Sequence, residues 1–166
     1  MDERTLEMAI KTIRDMVSDG NCDAAEALCQ AELRVCEPVF KHRLLAQLAW
    51  VNWKKGHNLE ALSLIKEAHL LDPAWAGHLH RLALWLLELA RYDEAIGEAD
   101  RLLDLENRRN SIAFQDAARF IKAFAAYKQG DRAKAASWAS EISESKPVWL
   151  IDRLISRDDL LKSALN

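Results

Sequence analysis

The sequence predicts an all-α protein, a right-handed α-solenoid of about four helix pairs closed by a C-terminal capping helix. Three observations predict it. Apolar residues recur at i, i+3 and i+4, as in Leu45, Leu48 and Ala49 and again in Leu79, Leu82 and Ala83, which is the spacing of one helix face. Glycine and proline are scarce, at 5 and 3 of 166 residues, yet they punctuate the chain regularly. Ala25, Ala61, Ala95 and Ala135 stand five residues after Gly20, Gly56, Ala90 and Gly130, and are separated by 36, 34 and 40 residues. Such a period marks units that cannot bury their apolar faces alone and must stack on their neighbours.

The elements follow in order as one domain over 1–166, in units of about 6–39, 42–75, 76–109 and 116–149. In each unit the first helix carries the apolar stripe, the polar turn reverses the chain, and the alanine lets the second helix cross closely. A larger side chain at Ala61 or Ala95 would overpack that crossing at a cost of about 1 to 3 kcal/mol or more. Pro38, Pro73 and Pro147 recur about twelve residues after the alanines, where each is expected to open the next helix at the position that least needs an N–H. Residues 148–166, "VWLIDRLISRDDLLKSALN", read as the capping helix, with Val148, Ile151, Leu154 and Ile155 on one face and Ser156 as the place for a break.

A period near 34 with two helices per unit resembles the tetratricopeptide repeat (TPR) family. Residues 42–75 match best, with Leu45, Leu48, Ala49, Gly56, Ala61, Ala68 and Pro73 in the family's pattern. Residues 76–109 follow with Leu79, Leu82, Ala83, Tyr92, Ala95 and Leu102, although Asn107 stands where the proline would be. Residues 116–149 carry "AYKQGDRAKA" and Pro147, and 6–39 are the weakest unit. The resemblance implies a non-catalytic protein–protein interaction module, an adaptor or chaperone. The lysine and asparagine clamp used by repeat proteins that grip chaperone tails is not matched, because Ala46, Trp50, Ala117 and Ile121 stand at its places.

First helices line the concave side of such a stack, so contact residues are sought on their face away from the packing stripe. In 42–55 that face holds Arg43, Ala46, Trp50, Trp53 and Lys54; in the next unit His80, Leu84 and Leu87; in the fourth Phe120, Phe124 and Tyr127. Arg119 and Lys122 occupy positions that are apolar in the family, and six extra residues, "NSIAFQ", precede this helix, so its rotation is open. Trp75, Trp85, Trp138 and Trp149 are expected to pack internally. Four aromatics yielding roughly 100 Å² each would contribute about 10 kcal/mol at ~25 cal/mol per Å². That compares with an association cost of about 4 to 15 kcal/mol. The expected ligand is a hydrophobic or amphipathic segment of a partner protein. The alternatives are a structural protein that homodimerises through the same face, or a small immunity or inhibitor protein.

Other classes are disfavoured. The net charge of −3, with both signs interspersed, argues against nucleic acid and anionic membranes. No apolar run approaches the roughly 20 residues of a membrane span, and the N-terminus lacks a leader's pattern, so a cytoplasmic protein is expected. Cys22, Cys29 and Cys36 are spaced by seven, too far apart for one disulfide or a shared metal. His78 and His80 point apart on a helix, and His42, His57 and His69 have no ligand spacing. No phosphate loop or nucleophile motif is present. No enzyme activity, metal or cofactor is expected.

Overall fold

The computed structural model describes residues 2–143, 148–150 and 153–165. Four successive helix pairs run along it: α1 (Glu3–Ser18) and α2 (Cys22–Val35), α3 (Lys41–Lys54) and α4 (Asn58–Leu71), α5 (Ala76–Glu88) and α6 (Tyr92–Arg108), α7 (Gln115–Lys128) and α8 (Arg132–Ser140). Two short strands, β1 (Val148–Leu150) and β2 (Arg153–Ile155), precede α9 (Arg157–Leu165). The chain divides into two compact units, Met1–His78 and Leu79–Asn166.

One turn design recurs between the helices of each pair. Gly20, Gly56 and Gly130 have φ near +80°, a conformation costly for a residue with a Cβ. In each, the N–H of the glycine donates to a carbonyl three residues back and the next N–H to one five residues back, as in Gly56 to Trp53 and His57 to Asn52. This satisfies carbonyls that the helix end would leave orphaned. Ala90 adopts the same left-handed conformation, φ 57°, and makes the same two bonds, to Leu87 and from Arg91 to Leu86.

The crossing alanines are where the sequence requires them. Ala25, Ala61, Ala95 and Ala135 are all at 0% exposure, and one turn further along each second helix so are Cys29, Ile65, Ala99 and Ala139. In the first unit Leu6, Ile10, Ile13 and Val17 of α1 pack with Ala25 and Cys29 of α2 and with Leu44, Leu48 and Val51 of α3. Cys29 lies inside this core, where burial pushes its thiol up to about 12.

Proline use differs in detail from the expectation. Pro38 opens a 3₁₀ turn, Pro38–Phe40, directly before α3, whereas Pro73 sits in a turn and α5 begins at Ala76. Pro147 lies outside the described residues. Without a proline at Asn107, α6 runs to 17 residues where α2 and α4 have 14. The extra residues that follow are tied down by Glu106, buried at 1%, which accepts from the Ser111 hydroxyl and the Phe114 N–H, both at 2.8 Å. A buried carboxylate is tolerable there because two donors face it, one at the start of α7, where the helix dipole favours negative charge.

The C-terminal segment corrects a second expectation. A helix over 148–166 is present only from Arg157. Residues 148–150 and 153–155, rich in β-branched and aromatic types, instead form the two strands, paired antiparallel with Val148 opposite Ile155 and Leu150 opposite Arg153. Ile151 lies outside the described residues. Ser156 and Asp159 cap α9 reciprocally: the Ser156 N–H donates to the Asp159 carboxylate at 2.9 Å, and the Asp159 N–H donates to the Ser156 hydroxyl oxygen at 3.1 Å. α9 packs on α8 and α7, with Leu160 and Ile142 buried and the Arg157 guanidinium donating to the Ile142 carbonyl at 3.2 Å.

Candidate functional site

On the first unit, the face left over by packing on α3 is narrow. Nine residues of this 14-residue helix are buried, including Ala46, which was expected on the open face. Arg43, Trp50 and Trp53 remain half-buried and Lys54 is exposed. The spacing 43, 50, 53 keeps them on one stripe. Trp50 divides its surface, since part of the indole packs against the core built by α1, α2 and α3. Arg43 is held by α1, pairing with Glu7 and, at 3.6 Å, with Glu3, while its guanidinium lies 5.8 Å from the centre of the Trp75 ring. The cation expected at the rim is therefore largely neutralised within the unit.

Trp75, expected inside, is 46% exposed. Its indole rests over Gly77, where a Cβ would come within 2.9 Å of the ring nitrogen. Beneath it lies a polar group that sequence spacing did not suggest. His42 and His78 are buried at 7% and 3%, and His42 Nδ1 is 3.0 Å from His78 Nε2. On the far side of His42, Nε2 lies 3.6 Å from the Asp72 carboxylate. The two histidines are 36 residues apart, one repeat, and each stands in the first turn of a first helix. That one-repeat separation was the available signal, and a search for ligand spacing along one helix could not register it.

On the second unit the expected contact residues divide differently. Leu87, Phe120 and Phe124 are buried at 1, 0 and 3%, which withdraws them from the open surface. The reason is the rotation of α7. Its charged positions, Asp116, Arg119 and Lys122, are themselves mostly covered and are paired, with Arg119 3.1 Å from Asp116 and Lys122 2.6 Å from Asp100 and 4.5 Å from the centre of the Trp138 ring. Leu84 and Tyr127 remain half-buried. The Tyr127 ring lies 6.5 Å from that of Phe124, over which Lys128 sits at 5.3 Å. His80 is half-buried, 5.0 Å from Phe114 of the extra loop, and burial, helped by Arg81, pushes it down to about 4. It is a neutral packing residue at physiological pH, poorly suited to gripping a carboxylate.

No family model and no curated protein matches the sequence. Solved structures do match. Among them, MamA is 15% identical over 99% of this chain and 78% of its own, with a TM-score of 0.65. A tetratricopeptide repeat protein from Parabacteroides merdae ATCC 43184 is 22% identical over 84% of this chain and 52% of its own, at 0.68. The TPR-like repeats of a kinesin light chain from Podosopora anserina are 14% identical over 83% and 73%, also at 0.68. These likenesses define the class: the chain has the helix-pair fold of tetratricopeptide repeat proteins. At such identities they speak to the fold alone. No helix among the described residues is long and apolar enough to cross a membrane.

Proposed function

We propose that the protein is a non-catalytic interaction module that receives a hydrophobic or amphipathic segment of a partner protein on the open stripe of α3. Trp50, Trp53 and Lys54 are the contact residues. The observation that carries this reading is that stripe itself, two tryptophans left half-exposed on a helix whose other faces are packed. Aromatic rings offer large contact area at little entropic cost, and a lysine beside them favours an acidic flank on the ligand.

The burial of Phe120, Phe124 and Leu87 reduces the expected affinity. Two tryptophans yielding roughly 100 Å² each contribute about 5 kcal/mol at ~25 cal/mol per Å², near the lower end of the association cost of about 4 to 15 kcal/mol. The two rings alone therefore leave at most about 1 kcal/mol, short of the roughly 8 kcal/mol of micromolar binding. The flanking parts of the ligand must supply the rest, and weak binding suits an adaptor or chaperone that must release its client. The test is a pull-down from the native host with wild-type and Trp53→Ala protein, with circular dichroism as the folding control and light scattering for mass. Loss of a captured partner with helicity retained supports the reading. Unchanged capture, or a stable wild-type dimer that Trp53→Ala splits into monomers, defeats it in favour of no role or of self-assembly.

A further inference from the structure

We propose that His42, His78 and Asp72 form an acid-sensitive latch in the first unit, in which the two imidazoles share one proton and thereby hold the α4–α5 turn, with Trp75, against the start of α3. The inference is independent of the ligand-binding reading above and concerns what keeps that turn closed.

The proton positions follow from the partners. A carboxylate at 3.6 Å from His42 Nε2 favours a proton on that nitrogen, which leaves Nδ1 with its lone pair. His78 Nε2, 3.0 Å away, must then donate. One hydrogen bond between two buried neutral rings results, and it exists only while the pair carries a single proton between those two atoms. Asp72 is fixed for this role because its other oxygen accepts the Ala74 N–H at 3.0 Å, closing the turn that delivers Trp75. Trp75 meets both rings, at 5.4 Å from His42 and 6.2 Å from His78.

Acid acts on this arrangement in two steps. A first proton places a cation on His42 beside Asp72, and the ring can still donate from Nδ1 once His78 turns acceptor. A second puts two cations 3 Å apart with no lone pair between them, so the contact must open. Other charges are set against protonation. Both histidines lie in the first helical turn, where the dipole repels cations. The Arg43 guanidinium stands over the same tryptophan, although Glu3 and Glu7 draw part of its charge towards α1. Lys41 is engaged with Glu67 at 3.8 Å. For His42, Asp72 favours the charged form, but burial outweighs it and, with Arg43, holds the ring below the ordinary imidazole range. The unfolded chain therefore takes up protons first, and the latch loses strength as pH falls below about 6.5.

The experiment is imidazole and indole nitrogen NMR on the wild-type protein from pH 8 to 4. Expected are an Nε2–H tautomer for His42 at pH 8, two separate titration steps for the pair with the second below the free-imidazole value, and a Trp75 indole signal that moves with that second step. His42→Gln should abolish the Trp75 response. Should that variant fail to fold, the wild-type spectra decide. Two rings titrating independently near 6.5, an Nδ1–H tautomer for His42 at pH 8, or a Trp75 signal unmoved through the second step would overturn the latch.

Discussion

Helices α3 and α7 hold the same place in their pairs and leave opposite surfaces. Both are apolar over most of their circumference. Trp50 and Trp53 are the partly exposed residues of the α3 stripe, while α7 carries Asp116, Arg119 and Lys122, mostly covered and paired inside their own unit. A helix that is hydrophobic nearly all round has no face dictated by its own sequence, so the few polar positions decide how it turns. Arg119 and Lys122 cannot be buried unpaired, and meeting Asp116 and Asp100 sets the turn of α7 that carries Phe120 and Phe124 into the core. The difference separates a stripe of partly exposed indoles, proposed above as the contact surface, from one whose charges are engaged within their own unit.

The largest test of this contrast is a pair of truncations. Phe120→Ala should lower stability by about 3 to 5 kcal/mol, as expected for a fully buried aromatic, and reduce the cooperativity of urea unfolding. Trp53→Ala should cost less, about 1 to 2 kcal/mol, since its ring keeps partial contact with water while Phe120 has none. Equal costs would mean that the two helices present equivalent faces after all.

That contrast also marks the limit of what the chain discloses before folding. The paired architecture is legible because Ala25, Ala61, Ala95 and Ala135 are needed at close crossings, and because left-handed turns select Gly20, Gly56 and Gly130. The stripe on α3 is legible for a local reason, two tryptophans beside a lysine on a helix whose other faces are plainly packed. The orientation of α7 is not, since it depends on Asp100 and Trp138 receiving Lys122 from other elements. Nor is the His42–His78 contact, which exists only when one repeat stacks on the next. Residues 148–155 misled because a short apolar run fits strand and helix alike.

A second test uses acid and concerns the second unit. His80 is held at about 4 against an ordinary 6.5. The unfolded chain binds this proton first, so stability from His80 is full above about pH 6.5, falls with pH, and levels off below about pH 4. The difference of about 2.5 units corresponds to about 3 kcal/mol. His80→Phe should remove this part of the pH dependence and leave stability near pH 8 within about 1 kcal/mol, read by urea unfolding at pH 8, 6 and 4.5. Because the latch in the first unit titrates separately, its Trp75 signal should be unchanged in this variant. A wild-type slope in His80→Phe would show that the ring against Phe114 is not buried.

The smallest effect tests whether the turns are as alike as their hydrogen bonds. Ala90 carries a Cβ at φ 57°, where the other three turns have glycine, and that conformation costs an alanine roughly 1 kcal/mol. Ala90→Gly relieves that strain but also frees the unfolded chain by about 0.4 to 1 kcal/mol, so the net gain should be small, about 0.5 kcal/mol. Gly56→Ala should lose about 0.5 kcal/mol, the same conformational cost less the same unfolded-chain term, because a Cβ there meets nothing within 4 Å and steric clash contributes nothing. The two substitutions should therefore have opposite signs in thermal unfolding. If Ala90→Gly destabilises instead, the methyl group of Ala90 contributes more by packing than the turn loses by strain.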